Sequence, residues 1–294
     1  MTAARAESLA GGASSDVRPW AARRRRHRSL AVGAGICVLL VGVALAAPWL
    51  SPSNPSHVHP GAFLAAPSSA HLLGTDDLGR DVLSRLLFGS RVVLVVGFTA
   101  SAIATALGVG VGMVAGYRGG VIGQGMMAVV DTIYAFPVLV LAVVLIALLG
   151  SGSWQLIAVL GFLSIPRVAR LVRGQTIALR EREYIDGARS VGAGATRILL
   201  RHLLPNLLGV ILLQASLLVS NNVLTEASLS FLGLGVQPPT PTWGGMLRYG
   251  YGFLERAPLL SVAPGAAIAL TVFGFNLLSD GLRDYLDPRL RRLA

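Results

Sequence analysis

The chain alternates long apolar runs with short polar segments, and the apolar runs have the length of membrane-spanning helices. A helix crosses a hydrocarbon core about 30 Å thick with about 20 residues. The turn at residues 150–153 alone separates the third run from the fourth. This pattern predicts an all-α, polytopic membrane protein with six transmembrane helices. The six runs are residues 29–50, 92–116, 127–149, 154–172, 207–226 and 259–280.

The composition agrees with a membrane protein and excludes several kinds of chemistry. Hydrophobic residues make up 53% of the chain and charged residues only 13%, with a mean hydropathy of +0.66. The 25 basic residues other than histidine are all arginine. Without lysine the chain can form neither a phosphate-binding loop nor a Schiff base. The single Cys37 excludes an internal disulfide. We therefore predict a protein that is not an enzyme and has no catalytic residues.

The arginines are distributed unevenly between the two sides of the predicted spans. Residues 1–28, 117–126, 167–206 and 283–294 hold twenty of the twenty-five. The other five lie on the opposite side, in the polar parts of the chain that follow the first and fifth spans. Short basic loops remain in the cytoplasm. Both termini are therefore predicted to be cytoplasmic, which an even number of spans requires.

Other interpretations fit the basic and polar residues less well. A basic start followed by an apolar run also fits a cleavable signal peptide, but 22 apolar residues exceed the usual length. The net charge of +11 suits anionic lipid headgroups, whereas scattered arginines without interleaved aromatic residues argue against nucleic acid. His57 and His59 are only two possible ligands, so we interpret them as part of a solvated loop and predict no metal site.

Small and polar residues mark two of the spans. In the second span, small residues recur every four positions and form a smooth strip, which suits close helix packing inside one bundle better than a dimer contact. In the fifth span, Gln214, Asn221 and Thr225 lie near one line of the helix, with Glu226 beside them. They are candidates for a solute pathway, and interhelical hydrogen bonding is the alternative. The strip consists of Ala100, Ala104, Gly108, Gly112 and Gly116.

The polar segment between the fourth and fifth spans predicts a short helix that projects from the membrane. Residues 183–191 favour helix, residues 192–194 break it, and residues 195–203 can resume it. Pro205 is expected to interrupt the helix at Leu204 and to open the next span. A stub of about nine residues is marginal alone. Docking on a partner is the preferred role, and an amphipathic loop on the membrane surface is the alternative.

This segment resembles the cytoplasmic loop of permease subunits of type I ABC importers. That loop has the pattern EAA, a glycine four residues after the last alanine, and a later Leu-Pro. Aligning residues 204–205 with Leu-Pro places Gly192 on the glycine and residues 186–188 on EAA. The departures are Asp186 for Glu, Gly187 for the first Ala, and His202 where an apolar residue usually stands.

Three further segments resemble the dipeptide, oligopeptide and nickel branch of that family. Residues 71–81 read HLLGTDDLGRD, residues 229–244 read LSFLGLGVQPPTPTWG, and residues 275–288 read FNLLSDGLRDYLDP. The resemblance runs from about residue 70 to the end, and the first 28 residues show none. It implies a multi-pass protein of the bacterial plasma (inner) membrane that imports solute, with dipeptides or oligopeptides as the leading substrates. Nickel chelate, glutathione and haem are the alternatives within the branch.

The resemblance also implies the partners and the division of the chain. A second homologous permease, two ABC ATPase subunits that hold ATP and Mg, an extracytoplasmic solute-binding protein and lipid are expected; this chain binds no cofactor. Expected ATPase-coupling residues are Glu183, Tyr184, Asp186, Gly187, Ala188, Arg189, Gly192 and Pro205. Expected gate or binding-protein contacts are Leu229, Phe231, Gly233, Gly235, Gln237 and Trp243. The predicted parts are a disordered basic arm (1–28), the first span (29–50), an extracytoplasmic segment (51–91), a permease core (92–282) with its coupling loop (176–206), and a cytoplasmic tail (283–294).

Two functions of other classes stay open at this point. An ion-coupled secondary transporter would use buried carboxylates such as Asp131 and Glu226, although the internal repeats common in such folds are absent from the sequence. A membrane scaffold or receptor would need no polar line in the fifth span. Uptake that survives ATP depletion would favour the first, and uptake unchanged by replacing Gln214 and Asn221 with leucine would favour the second.

Overall fold

A computed structural model describes residues 19–286, and the side chains of residues 29–285. Within these residues the chain is helical, and its one β-bridge joins Thr75 to Asp81. The all-α prediction is confirmed for this part of the chain. The elements are α1 (Pro19–Leu50), α2 (Val82–Arg118), α3 (Gly120–Tyr134), α4 (Val138–Leu149), α5 (Ser153–Arg180), α6 (Glu183–Ser190), α7 (Ala195–Arg197), a π-helical turn (Ile198–Leu203), α8 (Leu204–Phe231), α9 (Trp243–Tyr251) and α10 (Leu259–Leu286).

Membrane-spanning helices account for most of the described residues. Five helices are long and apolar enough to cross a bilayer, and α3 with α4 makes a sixth span if the two are counted together. These two helices are bent by 87°, so a single straight helix over residues 127–149 is wrong. Pro137 lies at the break, with extended backbone at ψ 124°. Proline lacks a backbone N–H and disfavours helix in the residue before it. The helix therefore breaks at Pro137 although the run of residues around it is apolar.

Several element ends differ from the predicted boundaries. Helix α2 begins at Val82 because the carboxylate of Asp81 accepts a hydrogen bond from the Ser84 N–H at 2.7 Å and thereby caps the helix. Residues 82–91 therefore belong to a helix and not to a loop. Helix α5 continues through Pro166 to Arg180. Most of the predicted arm lies outside the described residues, and residues 19–28 are helical in α1. Of the predicted tail, residues 283–286 belong to α10 and the rest lies outside the described residues.

Helices α2 and α5 pack so closely that their backbones approach each other. A Cβ on Gly108 would lie 2.6 Å from the Val168 Cβ, and one on Gly116 would lie 2.8 Å from the Thr176 Cβ. A Cβ on Gly112 would lie 2.6 Å from the carbonyl oxygen of Ala169. Small residues permit this distance, and dispersion drives association where lipid offers no hydrophobic gain. Packing of the small-residue strip inside one bundle is thus confirmed.

Hydrogen bonds between helices fasten α8 to this seam. The Asn222 amide donates to the Ser101 hydroxyl of α2 at 2.9 Å and accepts from the Ser164 hydroxyl of α5 at 3.0 Å. Ser216 of α8 bonds Ser279 of α10 at 2.7 Å. Such bonds contribute about 0.6 kcal/mol on average in lipid. Together they hold α2, α5, α8 and α10 in one arrangement.

Substitution of Gly112 by alanine should destabilise the protein, because the new Cβ would meet the Ala169 carbonyl oxygen at 2.6 Å and the Val172 Cβ at 2.9 Å. Overpacking of this kind costs about 1–3 kcal/mol. The matched control is Gly110→Ala on the same helix, where a Cβ meets nothing within 4 Å and helix propensity improves. Thermal unfolding in detergent should show a lower midpoint for Gly112→Ala only. Equal midpoints would contradict the packing of α2 on α5.

Candidate functional site

Two surfaces at opposite ends of α2 carry most of the residues singled out in the sequence. Helix α2 has 37 residues and is therefore about 55 Å long. Near its first residues lie the segment 51–81 and α9, since the Trp243 indole N–H donates to the Leu86 carbonyl at 2.9 Å. At its last turn lies the end of α5, and α6 follows. The motifs 71–81 and 229–244 thus share one end, and the coupling segment occupies the other.

Helix α6 has one buried side chain, Ile185, which packs it against the bundle. Ile185 is fully buried and packs in a cluster with Ile198 and Leu203 of the π-helical turn. Acidic residues occupy the first turn and Arg189 the last, which complements the helix dipole. Five of the predicted coupling residues lie exposed on this helix, and Ala188 is half-buried. The exposed ones are Glu183, Tyr184, Asp186, Gly187 and Arg189.

Gly192 ends α6 in a left-handed turn that few other residues adopt. Its φ is +80°, its N–H donates to the Arg189 carbonyl at 2.9 Å, and the Ala193 N–H donates to the Ala188 carbonyl at 3.0 Å. This pair of bonds is the Schellman motif, which satisfies the carbonyls of a helix end. A Cβ on Gly192 would meet nothing within 4 Å. The need for glycine therefore comes from the backbone alone.

Arg180 connects the end of α5 to the end of α2. Its Nη1 donates to the carbonyls of Gly116 at 3.3 Å and Tyr117 at 3.1 Å. A cation at carbonyls that a helix terminus leaves free is electrostatically favourable. Above this contact the Arg189 guanidinium lies 5.6 Å from the centre of the Tyr117 ring and bonds Asp186 at 2.9 Å. The α2 terminus thus forms one side of a groove whose other side is α6.

Pro205 does not interrupt the helix where the sequence predicted. Leu204 is helical, at φ −54° and ψ −47°, and an apolar helix runs from Ala195 to Phe231. The π-helical turn at residues 198–203 accommodates the proline: the Leu204 N–H donates to the Leu199 carbonyl, and the Asn206 amide donates to the His202 carbonyl at 2.6 Å. Such turns and side-chain donors let a helix tolerate proline in a membrane.

The four pathway candidates of α8 divide between buried and accessible positions. Gln214 and Glu226 are buried inside the subunit, at 8% and 0% exposure. Asn221 is exposed and Thr225 is half-buried, and both bond carbonyls of their own helix. A helical wheel shows only which side of α8 a residue faces. The helices that pack on that side change along the length of α8, so residues on the same side differ in burial. Gln214 and Glu226 therefore do not line an accessible surface here, and a pathway role stays a prediction for Asn221 and Thr225.

The motif 229–244 combines a helix end, a loop and a helix start. Leu229 and Phe231 belong to the last turn of α8. Gly233 has φ +85° and ends α8 with a second Schellman motif, in which its N–H donates to the Ser230 carbonyl at 3.0 Å and the Leu234 N–H to the Leu229 carbonyl at 2.9 Å. Leu229 is buried and Phe231 exposed.

The loop after Gly233 is held by its own polar groups and by Trp243. The exposed Gln237 donates to the carbonyls of Gly233 and Gly235 at 3.1 and 3.0 Å. Thr242 caps α9 by accepting from the Gly245 N–H at 3.0 Å. Trp243 is only 2% exposed, and its indole bonds α2 as described above. The gate candidates thus include the buried residues Leu229 and Trp243 beside the exposed Phe231 and Gln237.

The motif 71–81 builds the cap that starts α2. Asp76 accepts from the backbone N–H of Arg80 at 2.9 Å and from its Nε at 2.7 Å, and lies 3.4 Å from the Arg85 Nε. Asp81, the N-cap residue, also lies within hydrogen-bonding distance of His71, with 2.9 Å between its Oδ2 and the His71 Nδ1. Among residues 29–285, no three histidine, cysteine or acidic side chains are placed to hold a metal ion. Through these contacts residues 71–81 fix the end of the segment 51–81 to the first turn of α2.

Comparison with known proteins identifies the family. Residues 108–292 match the family model described as "Binding-protein-dependent transport system inner membrane component", and residues 19–67 match "N-terminal TM domain of oligopeptide transport permease C". The chain belongs to this family of ABC importer permeases. The second match corrects the prediction that the resemblance starts near residue 70 and that the first 28 residues show none. The permease is therefore a multi-pass protein of the inner membrane.

Individual relatives agree along almost the whole permease. It is 42% identical over 277 residues to the glutathione transport system permease protein GsiD of Pectobacterium atrosepticum, covering 93% of this chain and 92% of that one. It is 41% identical over 273 residues to GsiD of Escherichia coli O157:H7, covering 92% and 90%. A solved structure of the MetNI methionine ABC transporter, in inward-facing conformations, matches with a TM-score of 0.52 and 21% identity over 67% of this chain and 96% of that one. It supports the fold.

Sequence reasoning missed several residues that shape these surfaces. Arg180 and Tyr117 were not selected, although a basic residue in the last turn of a helix is a signal for carbonyl contacts. Arg248 was counted only for its charge, yet its guanidinium lies against Gly233. Asn222 is adjacent in sequence to the polar line of α8, but only the tertiary structure shows that it joins three helices.

Substitution of Gly192 by alanine should loosen the end of α6, because a side chain in the left-handed conformation costs about 1–2 kcal/mol. The control is Gly187→Ala within the same helix, where a Cβ meets nothing within 4 Å and helix propensity rises. Hydrogen exchange of a peptide covering residues 181–194 should be about five- to thirtyfold faster in Gly192→Ala and slower in Gly187→Ala. Equal exchange in both variants would refute the role given to the left-handed turn.

Proposed function

We propose that the permease forms half of the translocation pathway of a peptide importer and couples it to two ATPase subunits through α6. The excess of arginine in loops predicts that both termini and α6 face the cytoplasm. The segment 51–81 and α9 then face outward, toward a solute-binding protein. The observation that carries the proposal is the exposed, Schellman-capped helix α6 at the end of the bundle opposite the motifs 71–81 and 229–244.

The contacts of α6 support a mechanical role. Ile185 is its one buried side chain, so the helix leaves most of its surface for a partner. A displacement of α6 can reach the bundle by two routes. Ile185 of α6 contacts the π-helical turn that precedes α8, and Arg180 joins the adjacent end of α5 to α2. ATP binding by the partners shifts the population between two arrangements of the paired bundles. This chain supplies a differential fit to those arrangements and no bond-making chemistry.

The pathway in this proposal runs along the accessible side of α8, against the second permease. Asn221 and Thr225 lie there, and an open apolar groove adjoins them between α8, α9 and α10, lined by Leu224, Phe231 and Leu247 among others. Asn222 on the neighbouring face is committed to Ser101 and Ser164. A mixed apolar and amide surface accommodates peptide backbones without binding any one side chain tightly.

Peptides are the proposed substrate class, with glutathione, itself a tripeptide, included. The relatives are named as glutathione permeases and the first matched segment as part of an oligopeptide permease. Nickel chelate and haem remain the alternatives. Glu226, the buried carboxylate on which an ion-coupled carrier would depend, bonds Ser230 at 2.6 Å inside the subunit, and Asp131 pairs with Arg170 at 2.8 Å.

Docking of α6 on an ATPase subunit predicts a site-specific cross-link. In a Cys37→Ser background, Gly187→Cys places a thiol on the exposed face of α6, where a Cβ meets nothing within 4 Å. A short cross-linker with a maleimide at one end and an amine-reactive ester at the other should join this cysteine to a lysine of an ATPase subunit, and the yield should change when ATP is added. Ala66→Cys, exposed in the segment 51–81, is the control and should give no such product. ATPase capture by Ala66→Cys and not by Gly187→Cys would reverse the proposed orientation.

The substrate class is tested by ATP hydrolysis of the complete complex in lipid. The permease, its genomic neighbours and the binding protein are purified together, and the binding protein is loaded in turn with a dipeptide, an oligopeptide, glutathione, nickel chelate or haem. Peptide or glutathione loading should raise hydrolysis several-fold above the unloaded protein. If only nickel chelate or haem stimulated hydrolysis, peptides would be the wrong substrate class. An intact complex without ATPase activity would refute the importer mechanism.

A further inference from the structure

A small polar pocket lies where the loop after α8 meets the beginnings of α2 and α9. Its wall includes two arginines and several hydrogen-bonding side chains, and none of its lining residues is acidic. Its volume is about 20 Å³, which is room for one or two water-sized groups. A pocket of this size admits the tip of one side chain and excludes a whole peptide. Its main polar members are Arg85, Arg248, Gln237, Thr240, Thr242 and Tyr249.

The loop backbone is shaped to admit the Arg248 guanidinium. A Cβ on Gly233 would collide with the Nη1 and Cζ atoms of Arg248, and a Cβ on Gly235 would collide with Ser230. Because these two glycines have no side chain, the Arg248 guanidinium can contact the backbone at Gly233 and the Ser230 hydroxyl can contact it at Gly235. Gly233 therefore both ends α8 and makes room for Arg248. As a result, the Arg248 charge lies at a defined point beside the loop.

The charge of Arg248 is not neutralised by any residue from 29 to 285. It forms neither an ion pair nor a side-chain hydrogen bond there. Arg85, 4% exposed, lies 3.4 Å from Asp76, which also pairs with Arg80 at 2.7 Å, and it donates to the Pro55 carbonyl at 3.1 Å. Glu226 lies behind Ser230, fully buried. Arg248 is therefore the cation of this pocket that has no partner among the described residues, and the hydroxyl and amide groups beside it add donors that suit an anion.

We propose that this pocket binds a carboxylate side chain of the docked solute-binding protein, with Arg248 as its principal ligand. The proposal rests on the proposed function, which gives the permease such a partner. Arginine binds carboxylate with two parallel hydrogen bonds. The rim also has the composition of an interface anchor, since the lining residues Tyr249, 42% exposed, and Pro238 are accessible; tyrosine and arginine dominate binding energy at interfaces.

The test measures how much binding protein the complete complex needs for half-maximal stimulation of ATP hydrolysis. Arg248→Gln should raise that concentration about tenfold, which corresponds to about 1.4 kcal/mol. Arg248→Glu should raise it further through like-charge repulsion. Arg248→Lys, which keeps the charge without the fork, should fall between wild type and Arg248→Gln. Higher salt should weaken stimulation of the wild type more than that of Arg248→Gln.

The matched control is Arg256→Gln, an exposed arginine after α9 that lies outside the pocket, and it should behave as wild type. If Arg256→Gln raised the required concentration of binding protein as much as Arg248→Gln, the effect would come from general charge attraction, and the proposal would be overturned. Unchanged stimulation in Arg248→Gln would also overturn it. A raised KM for transport of carboxylate solutes, with unchanged demand for binding protein, would assign the pocket to solute instead. No stimulation of wild type would refute the proposed function itself.

Discussion

The close packing of α2 on α5 is the contact on which the other parts of the permease depend. In lipid, helices gain nothing by hiding apolar surface, so association requires backbones near enough for dispersion and interhelical hydrogen bonds. Gly108, Gly112 and Gly116 provide that distance along one face of α2. The same seam brings Arg180 onto the carbonyls at the end of α2, and α6 starts three residues later. The position of α6 is therefore a consequence of a strip of small residues in the membrane.

Both proposed partner surfaces are built around a helix that ends at a left-handed glycine. Gly192 ends α6 and Gly233 ends α8 with the same pair of hydrogen bonds. Their surroundings differ: the space beside Gly192 is open, whereas the Arg248 guanidinium covers Gly233. One glycine thus provides a sharp stop that leaves a helix face free, and the other also makes room for a charged side chain. The shared local geometry serves two distinct purposes because the tertiary neighbours differ.

Polar residues within the bundle have structural and surface roles that a helical wheel does not separate. Asn222 and Asn221 are adjacent in sequence, yet the first joins α8 to α2 and α5 while the second lies on an exposed face. A buried amide in lipid needs partners because no water can replace them. An exposed amide can exchange its partners, which suits the pathway role proposed for Asn221. The distinction follows from which helices surround α8 at each depth.

The sequence by itself determined the membrane class, the apolar spans, the short helix before Gly192 and the family, because span length, arginine distribution and glycine spacing are local properties of the chain. It also predicted that the strip from Ala100 to Gly116 packs inside a bundle. Pro137 carried the signal for the bend between α3 and α4, but hydropathy averages over such a residue. Only the tertiary structure decided that the helix continues through Pro205, that Gln214 and Glu226 are buried, and that Arg180 and Arg248 shape the two ends. These outcomes depend on neighbours distant in sequence, whose distances no local pattern encodes.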